Sequence, residues 1–133
     1  MIALDTSVLI GALSGGPTAG ALRNALAGGE RVVIPTLVLY EWLRGPRTPA
    51  ELEARARLFP DAEALAFGPE EAAQAARLHQ ELRRPRGREL DLAIAACALS
   101  WNASLWTLNP RDFHDVPGLR LWPPLEPAPG SSG

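Results

Sequence analysis

Lysine is absent from this chain, and cysteine occurs once, at Cys97. A single thiol excludes an internal disulfide and any cysteine-built zinc site. Without lysine, neither Gly15-Gly16 nor Gly28-Gly29 can belong to a phosphate loop, which closes on that residue. The same absence removes the late lysine that a doubly wound response-regulator or phosphatase-like domain wants. Long apolar runs are missing as well. The longest, Leu92 to Leu99, is eight residues, against the roughly 20 that a membrane-spanning helix needs. The opening MIALDTSVLIGALSG lacks a basic start and is interrupted by Asp5, so it does not read as a secretory signal. The expected compartment is the cytoplasm. No Ser-His-Asp order or nucleophile elbow is present. A net charge of −2 argues against a protein that coats nucleic acid by bulk charge.

What remains is a 133-residue chain that is 47% hydrophobic and rich in Ala and Leu, with few β-branched residues. That balance favours helices over an all-β sandwich or barrel. One domain is expected over residues 1–125, and the Pro-, Gly- and Ser-rich residues 126–133 read as a flexible tail or, at Gly130-Ser131-Ser132-Gly133, a cloning remnant.

Short apolar runs at Ile2–Asp5, Arg31–Ile34, Ser104–Thr107 and Arg120–Trp122 predict strands, with a weaker one at Ala62–Phe67. Helices are predicted between them: one capped by Ser7 and running to Leu13, one starting at Pro17 and ended by Gly28-Gly29, and one capped by Thr36 and stopped at Gly45-Pro46. Thr48-Pro49-Ala50-Glu51 is a capping box for a helix to about Leu58. Two further helices run from Pro69 to about Arg84 and from Glu89 to Asn102. Strands separated by helices imply crossovers and a parallel sheet of about five strands covered on both faces. In such sheets ligands sit beyond the carboxyl ends of the strands, which directs attention to Asp5.

Two other acids stand in apolar surroundings. Glu41 lies within TLVLYEWL, with Leu37 and Val38 on its helical face. Asp91 lies beside Ile94 and Ala95 in LDLAIAACAL. A lone buried carboxylate is costly unless paired or metal-bound. Each acid also has an ordinary reading: Glu41 as a rim acid paired with Arg44, Asp91 as a partner for its helix dipole, Asp5 as a turn former. Asp112 and Asn109, in TLNPRDF after the fourth strand, have theirs as turn caps. If these segments converge, the carboxylates repel one another and need a cation. Oxygen donors suit a hard ion, Mg²⁺ or Mn²⁺.

Four pieces in order, LDTSVLI, Glu41 within TLVLYEWLRG, DLAIAACAL from Asp91, and LWTLNPRDFHDVPGLRL, resemble the PIN-domain ribonucleases, most closely their VapC-like toxin branch. The resemblance covers residues 1–122. It implies an α/β domain with a carboxylate pocket, acting as a metal-dependent endoribonuclease and as the toxin of a toxin–antitoxin pair. It also implies inhibition by a VapB-like antitoxin, and a homodimer. Asp5, Glu41 and Asp91 match the family's first three acids. Many members carry a fourth acid two residues after the threonine matching Thr107. Asn109 stands there in this chain, and Asp112 is the candidate replacement. The hydroxyls of Thr6, Ser7 and Thr107 are candidates to orient waters. A degenerate, non-catalytic PIN-like module that binds RNA or a protein is the alternative that Asn109 favours.

The run RRPRGR places Arg83, Arg84, Arg86 and Arg88 just before Asp91. With Arg111 they are candidates to hold RNA phosphates, the ordinary reading being a solvated loop. His79 and His114 have no partner at catalytic spacing and read as surface or loop residues. Trp101, Trp106 and Trp122 read as core or interface.

Overall fold

The strand β1 (Ile2–Leu4) is buried at all of its residues, as a central strand covered on both faces must be. In the computed structural model, which describes residues 1–124, β1 lies between β2 (Val32–Val33) and β3 (Ser104–Trp106), and β4 (Leu121–Trp122) pairs with the far side of β3. Every ladder is parallel. Ile2 pairs with Val32 on one side and Ser104 on the other, Leu4 pairs with Trp106, and Leu105 with Leu121. Six helices flank this sheet: α1 (Thr6–Leu13), α2 (Ala19–Ala27), α3 (Thr36–Arg44), α4 (Pro49–Leu58), α5 (Pro69–Glu81) and α6 (Glu89–Ser100). The expected α/β class therefore holds, and among the described residues the sheet has four strands rather than about five. The expected tail, residues 126–133, lies outside the described residues.

The reason for each helix can be read locally. Helix α6 buries every residue from Leu92 to Ala98, which its small Ala side chains permit while favouring the helix intrinsically. It packs against β3, α3 and α5. At α4 the expected capping box is present: the Thr48 hydroxyl accepts from Glu51 N at 3.1 Å, and the Glu51 carboxylate accepts from Thr48 N at 2.9 Å. Trp42 of α3, fully buried, and Phe113 anchor the core at its two sides, while Trp106 is buried and Trp101 lies 45% exposed.

Several boundaries differ from expectation, each for a definite reason. The segment 62–67 is not a strand. After a 3-10 turn at Asp61–Glu63, Leu65 makes one parallel bridge to Pro35. Leu65 N donates to Ile34 O, and Thr36 N donates to Leu65 O, both at 2.9 Å. Pro35 offers no N–H, and the chain enters α3 at Thr36, so the ladder cannot continue. Thr36 is accordingly the first residue of α3 and not its cap. The cap position of α1 is held by Asp5, with Ser7 already inside the helix. Helix α2 starts at Ala19, two residues after Pro17, because Thr18 is drawn inward to donate to Val8 O at 3.0 Å. Helix α6 stops at Ser100 because Asn102 turns left-handed (φ 53°). Helix α5 ends at Glu81, before the arginine loop.

The turn after α1 lies directly on that helix. A Cβ on Gly16 would stand 2.7 Å from Gly11 O and 2.8 Å from Gly11 Cα. Both atoms are helix backbone and cannot swing aside. Gly16→Ala is therefore expected to cost about 1–3 kcal/mol of stability, measured as a lower urea midpoint with unchanged slope. A midpoint equal to that of the wild type would contradict this packing.

Candidate active site

The site begins where β1 ends. Asp5 N donates to Trp106 O at 2.8 Å, tying the exits of β1 and β3 together. The sheet order places β2 and β3 on opposite sides of β1, so these exits flank the switch point at which ligands bind in parallel sheets. The Asp5 carboxylate is nearly sealed, at 6% exposure. Its Oδ2 accepts from Thr107 Oγ1 at 2.7 Å and from Ser7 Oγ at 2.9 Å. Each hydroxyl is oriented in turn by the loop after β3: Leu108 N donates to Ser7 Oγ, and Asn109 N donates to Thr107 Oγ1, both at 3.0 Å. Asp5 is thus fixed in one orientation by two donors that cannot rotate freely.

Glu41 arrives from α3. Its Oε1 accepts from Thr6 Oγ1 at 2.6 Å, and its Oε2 pairs with Arg44 at 3.3 Å. The expected rim pair with Arg44 is therefore present, while the other carboxylate oxygen faces the first turn of α1. Asp91 is half-buried in the first turn of α6. Burial, then the negative charges of Asp5, Asp112 and Glu41, push its carboxyl up to about 6, with Arg88 opposing. Asp112, in the 3-10 turn Pro110–Asp112, is exposed at the edge of this group. Asn109 is exposed beside it, engaged through its backbone N–H.

The remaining candidates divide. Thr6, Ser7 and Thr107 all turn their hydroxyls onto carboxylates of the site. Arg83, Arg84, Arg86 and Arg111 are exposed. Arg88 instead points its guanidinium inward, onto Asp115. His79 lies 3.7 Å from Glu89, and His114 Nδ1 meets Arg111 O at 2.7 Å. Sequence reasoning did not single out Asp115. Its partner lies 27 residues away, and no local pattern marks such a pair.

Among the described residues, no three His, Cys, Asp or Glu side chains close to metal-holding geometry. Glu41 is occupied by Thr6 and Arg44, and Asp112 stays at the rim. The donor set still fits a hard divalent ion. Mg²⁺ keeps several waters and uses only one or two carboxylates, and Asp5 and Asp91 are available for that.

The PIN domain family model matches residues 2–119. A chain of the VapBC complex from Salmonella typhimurium, solved bound to DNA, is similar at TM-score 0.73 and 25% identity, over 90% of this chain and 95% of that one. A chain of VapBC-1 from nontypeable Haemophilus influenzae is similar at 0.66 and 25%, over 91% and 96%. A chain of VapBC2 from Rickettsia felis, bound to a promoter DNA fragment, shares the fold at 0.70 and 24% identity, over 91% and 97%. No curated protein matches.

The raised Asp91 carboxyl sets a pH dependence. Ionisation costs more in the folded chain than in the unfolded one, so Asp91 weakens the metal-free fold as pH rises from its ordinary value near 3.8 through about 6. Metal-free Asp91→Asn is expected to melt above the wild type at pH 7.5, the gain vanishing below pH 4, by calorimetry. A lower melting temperature at pH 7.5 would instead mean that Asp91 serves its helix dipole.

Proposed function

The chain belongs to the PIN domain family, and from that premise we propose that it is a Mg²⁺- or Mn²⁺-dependent endoribonuclease. We propose further that it is the toxin of a toxin–antitoxin pair. The observation that supports this reading is the placing of Asp5 at the end of β1, held by Thr107 and Ser7, with Asp91 half-buried and raised first by that burial and then by the charges of Asp5, Asp112 and Glu41. Asp5 and Asp91 are the direct ligands in this reading. Glu41 holds metal or positions the attacking water, and Asp112 or Asn109 completes the shell. When bound there, the metal would supply a water of lowered pKa and charge stabilisation for the phosphate.

The chain's own residues prepare that site. Thr107 and Ser7 keep Asp5 aimed without consuming both of its oxygens. Thr6 holds Glu41 against the start of α1. The exposed Arg83, Arg84 and Arg86, five to eight positions before Asp91, offer counter-charge to an RNA backbone. Cation binding at the four acids would turn the remaining net charge positive, so the overall value of −2 is no obstacle to an RNA substrate.

For partners we propose a VapB-like antitoxin, as in the VapBC assemblies of the similar structures. An arginine of its tail suits the pocket, because a guanidinium pairs bidentately with carboxylates. A second copy of the chain is proposed as well. Tyr40 and Leu43, 55% and 51% exposed on α3, supply apolar surface for an interface. No helix among the described residues is long and apolar enough to cross a membrane, and a cytoplasmic site of action is part of the proposal.

A second reading is a non-catalytic PIN-like module binding RNA or protein. It is favoured by Asn109, an uncharged and exposed residue at the position where many family members carry the fourth acid. One experiment separates the two. Purified protein is expected to cleave RNA with Mg²⁺ or Mn²⁺ and to stop in excess EDTA, and Asp91→Asn is expected to cut the rate at least about a hundredfold. Cleavage undiminished by EDTA would overturn the metal mechanism. A protein that binds RNA but neither binds Mn²⁺ nor cleaves would establish the module instead.

A further inference from the structure

Arg88 occupies the cap position of α6, three residues before Asp91. Its Nη2 donates to Asp115 Oδ1 at 2.6 Å and its Nη1 to Asp115 Oδ2 at 2.8 Å, the parallel two-bond geometry of a guanidinium on a carboxylate. The same Nη2 donates to the backbone carbonyl of Asp112 at 2.8 Å. Arg88 is 18% exposed and Asp115 33%, whereas the surface pair Arg57–Glu53 stands 74% and 70% exposed. The covered pair is screened less by water and salt than the exposed one. Arg88 therefore does not share the role of its neighbours Arg83, Arg84 and Arg86, which are exposed.

The segment that Arg88 grips is the one carrying Asp112. Its other hydrogen bonds are local, among them His114 Nδ1 with Arg111 O at 2.7 Å and Val116 N donating to Phe113 O at 3.1 Å. Asp112 N donates to Asn109 O at 3.0 Å and Phe113 N to Pro110 O at 3.1 Å, both within the turn. Phe113, 2% exposed, plugs the core just after it. None of these hydrogen bonds leaves the segment, whereas the Arg88 fork ties it to the start of α6 by binding Asp115 and the Asp112 carbonyl at once.

We propose that Arg88 and Asp115 form a positioning latch that holds the Asp112 turn against the start of α6 and so sets the place of Asp112 relative to Asp91. The latch deepens the nuclease reading and rests on it for its effect on metal. Arg88 touches neither reacting atoms nor cation; it acts through the turn. Lysine cannot replace it, because a single ammonium does not reproduce the planar fork that serves both Asp115 oxygens and the backbone carbonyls of Asp112 and Arg84.

The full-length protein is compared with Arg88→Lys, Asp115→Asn and the double variant Arg88→Lys/Asp115→Asn in three measurements. Amide hydrogen exchange without metal is expected to quicken at Asp112 and Phe113 in all variants. Calorimetric Mn²⁺ titration is expected to show affinity weakened about tenfold, the lower end of what loss of an outer-shell partner costs. RNA cleavage is expected to lose kcat in similar measure with KM unmoved, and the double variant is expected to match the singles, since both remove one interaction. A purely structural ion pair would lower the melting temperature of the variants and leave exchange at the turn, Mn²⁺ affinity and kcat at wild-type values well below melting. That result overturns the proposal. Arg88→Lys keeps the charge and guards against a variant that merely fails to fold. A wild type that binds no Mn²⁺ and cleaves no RNA would overturn the nuclease reading, and the exchange rates would then decide the latch alone.

Discussion

A carboxylate sealed at the end of a central strand must have its charge answered, and in this molecule the answer is the pair of hydroxyls on Asp5. Thr107 reaches it from the exit of β3 and Ser7 from the first turn of α1. Both hydroxyls are themselves committed to N–H groups of the loop after β3. This small network makes the parallel sheet and the site one object: the strand ends cannot separate without leaving a buried charge short of donors, a cost of about 1–3 kcal/mol or more. It also fixes the direction from which the other acids must approach.

Those acids come from elements far apart in the chain. The core brings them in: Trp42 and Val38 seat α3, the buried face from Leu92 to Ala98 seats α6, and Phe113 seats the turn after β3. Each seated element presents one carboxylate to the same end of the sheet. Packing thus does work against electrostatics. The Asp91 carboxyl is raised to about 6, first by its burial and then by the charges of Asp5, Asp112 and Glu41. The proposed cation would answer that charge, and by binding the folded state alone it would return stability.

Much of this was legible in the chain itself. The apolar run before Asp5, the capping box at Thr48–Glu51, and carboxylates at Glu41 and Asp91 among apolar neighbours follow from periodicity and burial cost, and the parallel α/β class follows from their alternation. What was not legible has physical reasons. Ser7 looks like a helix cap by type, yet the backbone places Asp5 there and turns the Ser7 hydroxyl to the site. The strand expected at 62–67 depended on a ladder that Pro35 interrupts. Arg88 belonged by composition to a basic loop, and only the tertiary approach of Asp115 reveals a different task. Glu41 makes the rim pair with Arg44 that its spacing suggested, and the Thr6 hydroxyl on its other oxygen had no local signal.

The central claim is that four acids from separate segments make one cation pocket. Crystals of the wild-type protein soaked in Mn²⁺ and measured for anomalous scattering test it most directly. The account predicts a manganese peak bounded by the carboxylates of Asp5 and Asp91, with Glu41 and Asp112 at its margin. Ordered, Mn²⁺-soaked crystals of a catalytically active protein with no peak at that position, or with the ion held elsewhere, would contradict it.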